Sequence, residues 1–324
     1  MKRSKDTREK IFDVFATNLT NVKTLLGFQL SGELPDGTIS EINQPMYICP
    51  LCLRGYTKIA LDQNFHNPLT IEDVPPKSLG GKPLLLTCKE CNSKGGYLLD
   101  SVLKQHLQSQ RFIKLSPGSK VLGKVSVNKL GAVNSIIEVK ENSELFFHVD
   151  GNNYLVKKHI NALQTSQSSG KLDFTVNIPN ATKAVVGILK IGYLLSFNYL
   201  GNLMLLSPNV EKVVRQINHP DLKILPHTCV TKINKDKNYK EGLYLLTSPE
   251  NYRCFFVAFT LKIDGLSENF GVFIPGPGED GWRHFVNIKN LNKEAKLSFK
   301  DVSFNDMVTN NKLVNGYHYL WQNL

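Results

Sequence analysis

Two C-x-x-C pairs, Cys49-Pro50-Leu51-Cys52 and Cys88-Lys89-Glu90-Cys91, constrain this chain more than any other feature. A tight turn of this spacing brings two sulfurs to one ion, and a second pair from elsewhere in the chain closes a tetrahedral thiolate site of the kind zinc takes. Four thiolates fill the coordination sphere, so such an ion is structural and leaves no open position for substrate. The 35 residues between the pairs suffice for a β-hairpin and its loops. Residues 47–107 are therefore expected to fold around one zinc ion held by Cys49, Cys52, Cys88 and Cys91. The charged N-terminus, Met1 to Lys10, is followed by no signal-peptide-like apolar stretch, so the pairs read as metal ligands rather than disulfides and the expected location is the cytoplasm. Cys229 and Cys254 stand singly in apolar, strand-like runs and read as core residues.

The remaining sequence divides around this finger. At 324 residues the chain is long enough for two or three compact units, and a hydrophobic fraction of 41% predicts order along most of it. In residues 1–46, Ile11, Phe12, Phe15, Leu19, Val22, Leu25 and Leu26 recur at steps of three and four, the stripe of an amphipathic helix. Gly27, Gly32, Pro35 and Gly37 then favour a loop or hairpin linker. Beyond residue 107, short β-rich runs are expected at Phe112–Leu115, Lys120–Val127, Ser135–Val139, Leu145–Val149, Asn153–Val156 and Leu172–Val176. They are separated by Pro117-Gly118, Asp150-Gly151 and a polar stretch from Thr165 to Gly170, which suggests a small antiparallel sheet or partial barrel. Residues 181–200 form a long apolar helix, too charged at Lys183 and Lys190 for a membrane span, and a second helix starts at Pro208. Strands return at Leu243–Thr247, Arg253–Ile263 and Phe270–Ile274, then a Pro275-Gly276-Pro277-Gly278 turn and a shorter run around Phe285–Ile288. The fold class is α+β: an N-terminal helix and linker (1–46), a ββα zinc finger (47–107), and a mixed β-rich and helical region (108–324), with a break near 180.

The segment between the cysteine pairs carries the chemistry. It runs Leu69-Thr70-Ile71-Glu72-Asp73-Val74-Pro75-Pro76-Lys77-Ser78-Leu79-Gly80-Gly81-Lys82, then through Leu84-Leu85-Leu86-Thr87 into Cys88, with Asn92, Gly95, Gly96 and Asp100 beyond Cys91. The ordered combination of knuckle, acidic pair, Pro-Lys-Ser-Leu-Gly-Gly loop and Cys-x-x-Cys-Asn resembles the zinc-knuckle branch of the HNH (ββα-metal) endonuclease family. The resemblance covers residues 47–107. It implies metal-dependent hydrolysis of DNA phosphodiesters, in a prokaryote or mobile element, with phage defence or restriction as the setting. Carried over by position, it makes Glu72 and Asn92 ligands of a catalytic Mg²⁺ or Mn²⁺, oxygen-loving ions that polarise phosphate.

Two positions depart from the family pattern. Asp73 stands where the family has its general-base His, and Pro83 where it has an Asn before the second knuckle. A carboxylate of pKa about 3.9 is a far weaker base near neutrality than an imidazole of about 6.5. Three roles for Asp73 stay open: a base raised by Glu72, a further metal ligand, or a member of an inert site. His66, seven residues upstream, is the candidate replacement for the imidazole. Each residue also has a plain structural role to weigh: His66 as an idle loop residue, Asn92 as a helix cap, Glu72 and Asp73 as a solvated acidic pair, and Asp100 as structural. Lys77, Lys82, Lys89 and Lys94 either contact phosphate or solubilise the loop.

The formal charge of +11 favours a polyanionic partner, although scattered charge serves solubility equally well. Its excess sits mainly downstream of the finger; residues 109–180 alone carry nine Lys and Arg against five Asp and Glu. The expected partner is DNA, or RNA, with the C-terminal region selecting the target or docking a protein partner. Beside the nuclease stand two alternatives: a catalytically silent, HNH-derived zinc module that binds nucleic acid, and an adaptor whose finger is purely architectural.

Overall fold

The apolar stripe near the N-terminus becomes α1 (Lys2–Leu26), which buries Phe12, Phe15, Leu19 and Val22. A short antiparallel hairpin follows, β1 (Ser31–Glu33) with β2 (Ile39–Glu41). The finger consists of the hairpin β3 (Met46–Ile48) and β4 (Gly55–Thr57), the hairpin β5 (Leu69–Val74) and β6 (Lys82–Cys88), then α2 (Lys89–Gly95) and α3 (Ser101–Ile113). In this computed structural model the residues described are 2–26, 31–33, 39–41, 44–127, 131–149, 154–165, 172–205, 207–234, 240–291, 296–303 and 308. The linker residues Gly27, Pro35 and Gly37, the Asp150-Gly151 turn and the polar stretch 166–170 lie outside them.

Beyond the finger, β7 (Lys120–Val127), β8 (Val133–Val139), β9 (Leu145–Val149) and β10 (Leu172–Val176) form an antiparallel sheet of order β10-β7-β8-β9. Among the described residues its edge strands β10 and β9 do not pair with each other, so of the two expected forms the sheet is the one seen. Its inner face packs Val121, Ile137 and Val139 on Phe112 of α3, and Val125 and Val133 on Val156 of α4 (Tyr154–Thr165). Two expected strands are therefore helix. Phe112 lies in the last turn of α3, and Tyr154 to Val156 open α4, because in each case a few apolar residues serve one helical face over the sheet. The run at Phe285–Ile288 is likewise the end of α8 (Gly278–Asn287), where Phe285 is fully buried.

The expected apolar helix is α5 (Ala181–Leu200), continued by α6 (Asn202–Leu205) and α7 (Pro208–Asn218). The second sheet joins β11 (Val230–Ile233), β12 (Gly242–Ser248), β13 (Phe255–Ile263), β14 (Leu266–Ile274) and β15 (Ser298–Asp301), all antiparallel, in the order β11-β14-β13-β12-β15. Helix α5 lies between this sheet and the finger, and two glycines permit the approach. A Cβ on Gly187 would meet the Leu103 Cβ at 3.1 Å and the Leu99 carbonyl oxygen at 3.2 Å, while one on Gly192 would meet the Val272 Cβ at 2.5 Å. By length and composition α5 is also the one described helix apolar enough to cross a membrane, yet 72% of that window is buried inside the protein.

One hydrophobic core runs from Phe12 to Val308 and includes Tyr47, Leu69, Leu85, Leu103, Tyr193, Val257 and Val272. Packing therefore crosses both borders of the 47–107 segment. The Tyr47 ring stacks with Phe12 at 6.2 Å and meets the edge of Phe15 at 5.7 Å; Phe15 in turn stacks on Phe197 of α5 at 5.0 Å.

Candidate metal centre and the buried ion cluster beside it

The first knuckle is the turn between β3 and β4. The Leu53 N–H donates to the Cys49 carbonyl at 2.8 Å and the Cys49 N–H to the Arg54 carbonyl at 2.9 Å, with Leu53 in the left-handed region at φ 60. Cys88 closes β6 and Cys91 sits in the first turn of α2, which supplies the second pair. All four sulfurs lie within 4.8 Å of one another, and the Cys52 and Cys88 Sγ atoms are 3.9 Å apart. A tetrahedron with metal–sulfur bonds of about 2.3 Å has edges of about 3.8 Å, so the cluster fits a single ion and is compatible with structural zinc. Hydrogen bonding among the thiols, from Cys49 first, holds Cys88 far below the usual thiol range and lowers Cys52 to about 7, while Cys49, through Cys52 first, and Cys91 are raised, so the four thiols share their protons unequally. Thiolate is the form a metal takes.

The knuckles are also fixed from outside. Tyr47 donates its hydroxyl to the Leu86 carbonyl at 2.7 Å and accepts from the Leu86 N–H at 3.1 Å, which ties β3 to β6. Tyr193 of α5 donates to the Pro50 carbonyl, and Asn218 at the end of α7 to that of Leu51, each at 2.7 Å. Cys229 and Cys254 are buried away from the cluster, where desolvation pushes the Cys229 thiol up to about 12 and raises Cys254 as well.

The Pro-Lys-Ser-Leu-Gly-Gly loop closes the β5–β6 hairpin for backbone reasons. Leu79 is fully buried, Gly80 takes φ +88, and a Cβ on Gly81 would lie 1.4 Å from the Pro75 carbonyl oxygen. Strand alternation then turns Glu72 inward with Val74 and sends half-buried Asp73 to the other face, beside a bulge between the two residues.

Glu72 is 3% exposed, and its carboxylate is already occupied. Its Oε1 lies 2.8 Å from the Nζ of Lys190, itself 1% exposed, and its Oε2 accepts from the Thr87 hydroxyl at 3.0 Å. The same ammonium donates to the Asp100 Oδ2 at 2.9 Å. Burial opposes charge on Lys190, but Glu72 and Asp100 outweigh it and hold its pKa above the ordinary value, whereas burial outweighs Lys190 at Glu72 and raises that carboxyl; the 2.8 Å contact between the two is what fixes the pair. Two local features admit the ammonium. Gly95 leaves room, since a Cβ there would sit 3.0 Å from Nζ, and a π-turn over Gly96–Asp100 separates α2 from α3 and sets Asp100 at its end.

No protein-family model, curated protein or solved structure matches the chain. The likeness to HNH fingers accordingly stays where it began, on the residues of the finger.

Those residues are placed as follows. The Asn92 amide nitrogen donates to the Thr70 Oγ1 at 2.9 Å and the Ile71 carbonyl at 3.0 Å, bracing α2 against β5. His66 is exposed in the loop before β5, and no hydrogen bond or ion pair joins it to Glu72 or Asp73 among the described residues. Lys77, Lys82, Lys89 and Lys94 are exposed. The catalytic Mg²⁺ or Mn²⁺ expected at Glu72 and Asn92 finds no support in this geometry: the carboxylate faces an ammonium and the amide nitrogen braces a strand. Lys190 and the partnership of Asp100 were missed from sequence. The available signal was a lysine in the middle of an otherwise apolar helix, since a lysine buried there needs an anionic partner.

A second feature lies on the outer face of the four-stranded sheet. A groove of about 420 Å³ between α3 and β7 is lined by Lys104, Gln105, Gln108, Lys120, Leu122 and Asn177, among others. It continues past Lys124 and Asn134 into a second hollow of about 460 Å³ that shares Leu122 and Asn177. Neither hollow has an acidic residue in its lining. Leu122, Ile136 and Phe146 stand exposed on the same face, at 59%, 43% and 47%.

Proposed function

We propose that this chain is a catalytically silent, HNH-derived zinc module that binds nucleic acid without cutting it. The observation that carries the proposal is the Lys190 ammonium against Glu72. Cleavage of this type needs a carboxylate free to ligate a hard ion beside the phosphate, whereas Glu72 is sealed from solvent and charge-paired. The binding half is supported by the charge of +11 and by the groove along β7, where Lys104, Lys120 and Lys124 offer charge to a phosphate backbone and Leu122 and Ile136 offer apolar surface to bases. The four-cysteine centre holds zinc and keeps the finger in shape.

The test is binding and cleavage by the full zinc-loaded chain on labelled single- and double-stranded DNA and RNA. Binding should weaken steeply with salt, and replacing Lys104, Lys120 and Lys124 together by Ala should lower the salt slope by about 2–3. All strands should remain intact in Mg²⁺ or Mn²⁺. Cleavage that disappears in Glu72→Ala would restore the nuclease through Glu72, Asp73 and Asn92. Failure to bind any strand at low salt would leave the adaptor.

A further inference from the structure

The register of the four-stranded sheet sorts its side chains into two faces. On the outer one Lys120 stands opposite Glu138 and Glu138 opposite Phe146, Leu122 stands opposite Ile136 and Ile136 opposite His148, and Lys124 stands opposite Asn134. Directly opposed residues of an antiparallel pair share a face, so basic and apolar groups are interleaved over one surface that runs from β7 to β9. Two acidic residues also stand on it among the described residues: Asp173 on the edge strand β10, opposite Ser126, and Glu138. Glu138 is buried at the foot of three basic groups, Lys120 at 3.7 Å, Lys140 at 3.0 Å and His148 at 2.8 Å, so these groups rather than the carboxylate meet the solvent there. The Lys140 Nζ also lies 5.2 Å from the centre of the Phe146 ring.

We infer that this face binds a single-stranded nucleic acid, with phosphates on Lys104, Lys120 and Lys124 and unpaired bases laid from Leu122 and Ile136 across to Phe146. The inference rests on the nucleic-acid reading above and narrows it. Shape decides against a duplex. Four strands about 4.8 Å apart span about 14 Å before side chains are counted, whereas a major groove about 12 Å wide admits a helix or a two-stranded ribbon. A duplex would therefore meet this sheet with its phosphates alone and leave Leu122, Ile136 and Phe146 facing charge. A single strand turns its bases onto such side chains while its backbone follows the lysines, and an aromatic ring stacks with any base because each has a π-face. Tyr97, exposed one turn before the groove residue Ser101, offers a second ring just ahead of α3.

The experiment follows the fluorescence anisotropy of labelled oligo-dT, and of a mixed-sequence duplex of the same length, with the full zinc-loaded chain at one salt concentration. Oligo-dT should bind about ten-fold more tightly than the duplex, or better. Phe146→Ala should weaken oligo-dT about five-fold or more and leave the duplex within about two-fold, at an unchanged melting temperature because the ring is exposed. Phe146→Trp should keep the affinity, and its added fluorescence should be quenched by oligo-dT. If Phe146→Ala melts lower than wild type, that quench decides, and its absence overturns the inference. A duplex that binds as tightly as the strand, or an oligo-dT affinity unchanged in Phe146→Ala, overturns the inference and leaves the silent binding module standing. Binding to neither ligand overturns both. Poly-glutamate that binds as tightly as oligo-dT, with the same loss in Phe146→Ala, overturns it in favour of an acidic protein partner.

Discussion

The Tyr193 hydroxyl and the Pro50 carbonyl oxygen lie 2.7 Å apart, joining the central helix to the first knuckle three residues beyond Lys190 on α5. Both groups are buried, so the bond has no water to replace it. Tyr193→Phe should therefore destabilise the protein by about 1–3 kcal/mol, the cost of a buried acceptor left unsatisfied. Urea unfolding measures this, and the variant should also surrender its metal to a chelator faster than wild type. An unchanged midpoint would mean that the carbonyl finds another donor.

Gly192→Ala sets helix propensity against packing. In an exposed helix the change gains about 1 kcal/mol, but here the new methyl would lie 2.5 Å from the Val272 Cβ of β14. Overpacking of this kind costs about 1–3 kcal/mol, so the net effect should be a loss, read as a lower urea midpoint at unchanged slope. Gly96→Ala, where a Cβ would meet nothing within 4 Å, serves as the control and should not show that loss.

The cysteine cluster predicts one tightly held zinc per chain. Cys88→Ser should abolish stoichiometric zinc, measured by plasma emission spectroscopy, whereas Cys229→Ala should leave it at one, since Cys229 is buried elsewhere in the core. Chelation should unfold more than the finger, because Tyr47, Cys49 and Cys88 belong to the same apolar interior as α1 and α5. A wild-type protein with two zinc ions, or none, would contradict this.

Glu138 predicts a pH dependence. Lys140 at 3.0 Å and His148 at 2.8 Å, with Lys120 beyond them, lower its carboxyl from the ordinary 4.5 to about 2. A carboxyl more acidic in the folded than in the unfolded chain contributes stability that is complete above the unfolded value and lost as pH falls through the folded one. The stability difference between wild type and Glu138→Gln should therefore shrink as pH falls from 4.5 to 2, as followed by urea unfolding at each pH. A carbon-detected titration should place the Glu138 carboxyl below the other glutamates.

Local periodicity carried much of this fold. The steps of three and four in α1, the alternation in β7, β9 and β10, and the largely apolar run of α5 each depend on near neighbours alone, and the strands and α5 end where expected. The errors share a cause: Phe112–Leu115, Asn153–Val156 and Phe285–Ile288 are runs of about four residues, too short for a period of 2 to be told from one of 3.6. The four cysteines were legible because their spacing is itself the ligand geometry. The cation of the neighbouring cluster was not. Lys190 and Asp100 are 90 positions apart, and only the packing of α5 against the finger brings them together. Strand alternation could announce that Glu72 turns inward, but not what awaited it there.

The aromatic contacts that run from Phe12 through Tyr47 and Phe15 to Phe197 limit how such a chain can be cut. A fragment spanning 47–107 would carry Tyr47 stripped of both ring neighbours and Leu103 without its seat on Gly187. The finger is thus no portable cassette: transplanted alone it would expose the greasy flank that its neighbours cover, even with its four cysteines gathered.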